Sequence, residues 1–514
     1  MSPGDASRPG RRRPAPAVVA PPPRSDRYRV LSHPFEPLRV FSADRVEALH
    51  AAALGLLEDQ GIKVLSPAAL RRLRAAGATV DAAASMVRID RGLVDASLAT
   101  APRRITLNAR NAARHVPLDA ASLSFGPVSG PPNVMDLEGG RRPGSLADYA
   151  NGVRLCQSFD VMHVLGAFTE PQDVPVQVRQ LEMLHAQLTL SDKIPHTFCR
   201  GSAQVADCFE QVRIACGLTA EQFRVTPCTY TIINSNSPRV LDGPMADGIV
   251  DFALAGQVQM ITPFTLAGAM APVTIAGALT LAHAEVLAGL VLAQVTRAGA
   301  PVVYGSFTSN VDMKSGSPAF GTPEYVKAQL GAGQLARHVG LPWRSSNATA
   351  SNTPDAQSAY ESQMSLWGAL LGGANFVLHA AGWLESGLSA SYEKFILDVE
   401  QLQMLAEVLQ PVGAEDDDLA LAAVEEAGPG GHFFGTRHTM ERYRDAFYAP
   451  LVSDWRNFGA WSNDGARTAT QRAATLWRGT LDAFAPPPLE PARAEELEAF
   501  RRRRIEAGGA APAG

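Results

Sequence analysis

Aromatic, arginine and histidine residues gather at the ends of short apolar segments, and their types narrow the chemistry. Read in chain order, those ends give Phe125, Phe168 with Glu170, Cys199 with Arg200, Asn234 to Asn236 and Thr262 to Phe264. Tyr304 to Phe307, Arg344 to Asn347, His379, Trp383 and Glu385 follow. Few of these are acids. The faces of Trp and Tyr attract quaternary ammonium groups, at about 0.5–2 kcal/mol each. Arginine pairs a carboxylate bidentately. A betaine carries both groups a few ångströms apart, so the inventory suits a zwitterion of that class.

Other chemistries fit less well. None of the five lysines (Lys63, Lys193, Lys314, Lys327, Lys394) clearly ends an apolar segment, which disfavours a Schiff base. No HxH, HExxH or CxxC pattern occurs, and His196 with Cys199 forms a lone HxxC pair better read as buried core. No metal is therefore expected. A glycosidase needs two acids across one mouth. Glu170 and Glu385 could be that pair, so a hydrolase stays open as an alternative. No GxGxxG opens the first helix, and the glycine-rich stretch 428–436 lacks the Lys-Ser/Thr ending of a P-loop.

The elements that would position these residues show a repeating rhythm. Apolar segments rich in β-branched residues fall near 122–127, 160–166, 194–200, 227–233, 258–262, 301–306, 342–346 and 375–379. Helical patterns lie between them, near 145–157, 175–190, 202–216, 244–255, 275–297, 322–339 and 354–372, with a last one at 391–410. Eight such units predict an α/β fold, a (β/α)8 TIM barrel, over a doubly wound sheet. The barrel is expected over 121–410. A mostly helical N-terminal cap precedes it at 28–120, and a C-terminal helical extension follows at 411–485. Residues 1–27 and 486–514, rich in Pro, Ala and Arg, read as disordered tails, the second mostly so. Helix 354–372 is expected to start on Thr353 as N-cap with Pro354 in the first turn. Its apolar face is Ala356, Tyr360, Met364, Trp367 and Leu371.

Composition bounds the rest. The chain has 514 residues, 46% hydrophobic and 19% charged, which excludes global disorder. A net charge of −5 argues against a nucleic-acid groove. Five cysteines, an odd number without a CxxC, fit a reducing cytoplasm. Residues 1–27 hold no apolar stretch of signal-peptide length. Residues 252–284 lack Asp, Glu, Lys and Arg, but glycines and Pro263 and Pro272 split them. A buried strand, loop and helix start is expected there, not a membrane span.

Several stretches then carry a resemblance. Asn352-Thr353-Pro354-Asp355-Ala356-Gln357-Ser358-Ala359-Tyr360-Glu361, Gly373-Ala374-Asn375 and His379-Ala380-Ala381-Gly382-Trp383-Leu384-Glu385 are three of them. Ser391-Tyr392-Glu393-Lys394-Phe395, Asp312 to Gly316, Gly268 to Pro272 and the loop 428–439 are the others. Together they make the chain, over about residues 35–505, resemble the trimethylamine methyltransferase family. The resemblance implies a barrel that moves a methyl group from an amine to the cob(I)alamin of a separate corrinoid protein, with no cofactor held tightly by the barrel itself. Trimethylamine-using members carry pyrrolysine. This chain has none, and the matched motifs put that position near Arg344–Asn347. The chain thus looks like the non-pyrrolysine branch, some of whose members demethylate quaternary amines such as glycine betaine.

A quaternary or tertiary amine of the glycine betaine kind is therefore the expected substrate, and a corrinoid protein the expected partner. A homo-oligomer is compatible with a barrel of this size. Arg344 and Asn347 are expected to take the carboxylate, with Tyr304, Phe125, Phe168 and Trp383 as the aromatic cage. His379 is expected to touch the substrate or orient a neighbour. Glu361 and Glu385, in matched motifs, complete the candidate catalytic set. A betaine-binding barrel without transfer activity is the second alternative.

Overall fold

A computed structural model describes residues 28–512; the expected tail 1–27 lies outside the described residues. Six of the eight apolar segments form named parallel strands: β1 (Ser122–Phe125), β2 (Tyr230–Ile233), β3 (Val258–Ile261), β4 (Val302–Gly305), β5 (Trp343–Ser346) and β6 (Phe376–Leu378). Their order is β1-β6-β5-β4-β3-β2. The second and third barrel segments close the ring through isolated parallel bridges, Val164 with Ile194 and His196 with Tyr230. The amides of His163 and Val164 reach the Phe125 carbonyl, so the sheet has no free edge.

Each strand position is followed by a helix: α1 (Leu146–Ser158), α2 (Val176–Leu190), α3 (Ser202–Cys216), α4 (Gly243–Ala255), α5 (Ile275–Thr296), α6 (Pro323–His338), α7 (Ala356–Leu371) and α8 (Tyr392–Val408). Local chemistry sets their ends. Ser145 and Asp148 form a capping box on α1, and Thr322 caps α6 with Pro323 in its first turn. Gly256 closes α4 in the left-handed conformation. The N-cap of α7 is Asp355, not Thr353; its carboxylate accepts the Ser358 amide at 3.0 Å. Helix α5 is long and apolar enough to cross a membrane, yet most of it is buried among its neighbours. The stretch 252–284 resolves into the end of α4, two strands and the start of α5.

The barrel's floor is a packed cluster including Val164, Ile194, Tyr230, Met260, Val303 and Phe376. A hairpin, Ile105–Leu107 with Val116–Leu118, joins that cluster from the N-terminal side of the strands. The bottom is therefore plugged, and only the C-terminal end opens. The N-terminal cap is more mixed than expected. Its helices Ala43–Gly55, Pro67–Ala75 and Arg91–Thr100 pack on α5. Ile62–Val64, Thr79–Asp81 and Met86–Arg88 form a small sheet with Val240–Leu241.

Two C-terminal features depart from the expectations. Residues 486–514, read as mostly disordered, contain helix α10 (Pro491–Glu506), which packs on α2 and α3 through Leu497 and Phe500. Arg501 bonds Glu182 and Arg504 bonds Asp207. The pattern hides this helix because it is rich in Ala, Glu and Arg and buries only two side chains. Before it, α9 (Ala469–Asp482) packs on α8. On α7 the buried residues are Ser358, Glu361, Ser362, Ser365, Leu366, Gly368, Ala369 and Leu370, while Tyr360 and Met364 are exposed. Of the apolar face read from the sequence, Ala356, Tyr360 and Met364 are exposed, whereas Trp367 and Leu371 are half-buried, Trp367 against the core.

Candidate active site at the barrel mouth

A cavity of about 560 Å³ opens at the C-terminal ends of the strands. Its lining includes Phe198, Phe264, Phe307, Trp383, His196, His379 and Arg344, and no aspartate or glutamate. Arg344 projects from β5 and is almost wholly buried. Its guanidinium lies 5.7 Å from the Phe307 ring centroid, and one nitrogen reaches the Ser306 carbonyl at 3.4 Å. Its Nε has no hydrogen-bond partner, and among the described residues no carboxylate pairs with it. Burial pushes the guanidinium down to about 10 from an ordinary 12.5. Arg344 still stays charged at neutral pH, so an uncompensated cation sits in the cavity wall.

Two histidines flank it. His379 follows β6 in a left-handed backbone conformation, φ 58°, which is strained for a residue with a Cβ. Its amide is held by the Pro127 carbonyl, and its Nδ1 lies 3.3 Å from Ser346 Oγ. Its ring is 4.3 Å from Trp383 and 5.7 Å from Phe307, centroid to centroid. Burial, then Arg344, keeps its pKa well below 6.5. His196 is held down to about 3 by the same two causes, and neither of its ring nitrogens has a partner. Both rings are neutral at pH 7. The cavity is thus rich in aromatic rings; Arg200 also lines it but is paired with Glu170, which leaves Arg344 as the cation without a carboxylate partner among the described residues of the lining.

The remaining expected residues separate by strand parity. Val303 faces the barrel interior, so its neighbour Tyr304 faces the helices, where its hydroxyl lies 3.0 Å from His283 Nδ1. Phe125 packs beside His163, and Phe168 packs on Tyr392 and Phe395, again in the outer layer. None of these three lines the cavity. Trp383 does, fixed by its indole N–H donating to the Thr349 carbonyl at 3.0 Å. Asn347 lies beside the cavity and donates to the Ala380 carbonyl at 3.1 Å; its Oδ1 is buried without a partner.

The acids hold structure. Glu361 accepts the amides of Ala350 and Ser351 at 2.8 and 3.0 Å, fixing the loop after β5. Glu385 is bidentate with Arg141, and that hydrogen-bonded pair holds its carboxyl below the usual range. Glu170 is paired with Arg200 and Arg179; these overcome burial, which alone would raise its pKa. Neither Glu170 nor Glu385 is free to act as a general acid, which removes the basis for a hydrolase. Among the described residues, no group of three metal-ligating side chains occurs.

Several lining residues escaped the sequence reading. Phe264 and Phe307 stand among the strand ends, but nothing separated them from Tyr304 without the strand parity. Phe198 and His196 belong to the third segment, whose strand is too irregular to assign faces. Glu285 was also missed. It accepts from the Ser237 hydroxyl and the Arg239 amide, both at 2.7 Å, and from Ser235, so it shapes the loop that carries Asn234 to Asn236 into the mouth. A signal for it existed: Glu285 is the one charged residue in the 22 residues of α5.

The comparisons agree with this architecture. The family description for trimethylamine methyltransferase (MTTB) matches residues 8–509. A glycine betaine methyltransferase of Desulfitobacterium hafniense (strain Y51) is 36% identical over 467 residues, covering 90% of this chain and 97% of that one. The trimethylamine methyltransferase MttB of Desulfitobacterium hafniense (strain DSM 10664 / DCB-2) is 28% identical, covering 91% and 93%. Among solved structures, the hydroxylamine MtmB complex superposes with a TM-score of 0.50 at 8% identity, over 92% of this chain and 89% of that one, a likeness of fold. A closed (β/α)8 barrel, the family match along almost its full length and methyltransferases as its relatives together place this chain in the trimethylamine methyltransferase family, as a methyltransferase.

Proposed function

We propose that the chain takes a methyl group from a betaine-type quaternary ammonium carboxylate and delivers it to the cob(I)alamin of a separate corrinoid protein. Arg344 is the observation that carries the reading. A buried guanidinium without a counter-ion is costly, and an anionic ligand relieves that cost. Trimethylamine and choline bring no anion. A betaine brings one, together with an onium group for Phe307, Trp383, Phe264 and Phe198. The 36% identical glycine betaine methyltransferase supports the same class.

The geometry also orients such a ligand. Arg344 lies on a barrel strand, so a carboxylate bound there turns the ammonium outward, and a methyl group faces the opening. Attack by Co(I) then forms a cobalt–carbon bond as the carbon–nitrogen bond breaks. The electron pair of that bond stays on nitrogen, cobalt goes from +1 to +3, and a neutral tertiary amine leaves. No proton moves. That matches a cavity whose two histidines are neutral and whose wall carries no acid. The protein's contribution is orientation and exclusion of water. Trp383 and His379 hold the onium face, while Glu361 and Glu285 hold the loops.

The test mixes the purified chain with a corrinoid protein reduced to Co(I) and glycine betaine. Conversion of the Co(I) spectrum to that of methyl-Co(III), with dimethylglycine formed in equal amount, is the expected result. Calorimetric binding without conversion would instead identify a betaine-binding barrel. No binding and no conversion would overturn the proposal.

A further inference from the structure

All five cysteines are free thiols, and two of them touch. Cys216 ends α3, and Cys228 stands just before β2. The Cys228 thiol donates a hydrogen bond to the Cys216 sulfur. The pair sits at the N-terminal end of a barrel strand, away from the mouth, and methyl transfer uses neither thiol. Cys228 is buried, with its amide held by Gln257 Oε1 at 2.8 Å. Cys216 is half-buried and open to small solutes.

Two cations face Cys216. Arg110 is fixed by the carbonyls of Ser191 and Pro488, each at 2.7 Å. Arg493 comes from α10 and also pairs with Glu490 at 2.8 Å. Gly217 closes α3 in the left-handed conformation, and the Arg493 guanidinium fills the space where a Cβ would stand. The hydrogen bond from Cys228 and these two arginines outweigh burial and hold the Cys216 thiol below the usual range. The same bond and burial push Cys228 up. Burial pushes Cys156 and Cys199 up to about 12 and raises Cys208 as well. One thiol is therefore set apart to ionise, and a protonated one lies against it. Segment 217–227 between them carries only the short helix Ala220–Phe223, which leaves the backbone room to bring the sulfurs to about 2 Å.

We infer that Cys216 and Cys228 form a modification site that hydroperoxides convert to an intrachain disulfide. The Cys216 thiolate attacks one peroxide oxygen; a sulfur–oxygen bond forms, the oxygen–oxygen bond breaks and hydroxide leaves. The Cys216 sulfur loses two electrons, and the peroxide gains them. The Cys228 sulfur then attacks the Cys216 sulfur; a disulfide forms, the sulfur–oxygen bond breaks, and the departing hydroxide takes the Cys228 proton as water. Neither betaine nor a corrinoid protein enters the reaction.

The test treats the full, reduced chain with hydrogen peroxide at neutral pH. Remaining thiols are alkylated after unfolding, and tryptic peptides are mapped without reductant. Peptides 214–224 and 225–239, which hold the two cysteines, are expected joined. Cys156, Cys199 and Cys208 are expected to stay alkylatable, and dithiothreitol to restore all five thiols. Cys228→Ser is expected to stop at a Cys216 sulfenic acid, captured by dimedone. Cys216→Ser is expected to lose thiols at least about tenfold more slowly than wild type. Survival of all five thiols would overturn the site, as would oxidation spread evenly over the cysteines or a Cys216→Ser variant as reactive as wild type. A disulfide between two chains, seen as a doubled mass on a non-reducing gel, would also refute it. Should a variant fail to fold by circular dichroism, the wild-type peptide map decides.

Discussion

Replacing Arg344 by Met should move stability and binding in opposite directions. The guanidinium is fully buried, and its folded-state pKa of about 10 lies below the ordinary 12.5. At 1.36 kcal/mol per pH unit, the charge costs the ligand-free fold about 3 kcal/mol. That cost is fully present below pH 10 and is relieved as pH rises through 10 toward 12.5. A methionine of similar volume removes it. With about 2 cal/mol/K of unfolding entropy per residue, a chain of 514 residues melts about 3 °C higher. Loss of the contact with Phe307, worth about 0.5–2 kcal/mol, takes back about 0.5–2 °C of this. Betaine binding should fall sharply in the same variant, because a desolvated charge pair loses one partner. A loss of about 3–5 kcal/mol weakens affinity at least about a hundredfold. Scanning calorimetry with and without glycine betaine reads both effects. Wild type at a hundredfold excess over its dissociation constant gains about 2.7 kcal/mol from the ligand; the variant, a hundredfold or more weaker, gains at most about 0.4 kcal/mol. A variant that melts lower in the absence of ligand, or keeps betaine affinity within threefold, would refute the reasoning.

Three further outcomes are expected. His196, held at about 3, and His379, held well below 6.5, stay neutral at physiological pH, so calorimetric affinity for betaine should be flat from pH 6 to 8. Below 6.5 the unfolded chain binds protons that the folded one refuses, so denaturant midpoints should fall on acidification toward pH 3. Trp383→Ala should weaken betaine binding by about 0.5–2 kcal/mol, whereas Tyr304→Phe, which loses only its bond to His283, should leave titrated affinity unchanged. Glu361→Ala strips two backbone amides of a buried carboxylate and should lower the unfolding free energy by about 2–4 kcal/mol; Glu361→Gln, which retains an acceptor oxygen, should recover part of it in the same melt.

The alternation of apolar segments was enough to read the barrel, because burial on both faces makes parallel strands continuous and their helices amphipathic. Boundaries of α2, α3 and α5 fall within a residue or so of the pattern. The mouth was harder. Whether Tyr304 or Val303 enters the barrel depends on a one-residue parity that a run apolar on both faces does not encode. Arg344 and Trp383 were legible because a charged or very large residue within such a run has few places to go. On α7 the pattern misleads in the first turns alone: polar Ser358, Glu361 and Ser365 turn inward to serve backbone amides and carbonyls, while Tyr360 and Met364 stay exposed and Trp367 packs on the core. Helix α10 left no trace because two apolar side chains in sixteen residues make no stripe.

That last helix has a bearing on how the protein is made. Segments two and three of the ring meet only through single bridges, and α10 belts their helices from outside, finishing where the Ala510 amide reaches the Gln177 carbonyl. The belt emerges from the ribosome roughly 300 residues after α3, a delay of about 15–60 s at ordinary synthesis rates. During that interval Leu181, Leu184 and Val212 await their cover. A nascent chain stalled before Pro491 should therefore expose this sector to chaperones and proteases, and emergence of α10 should close it.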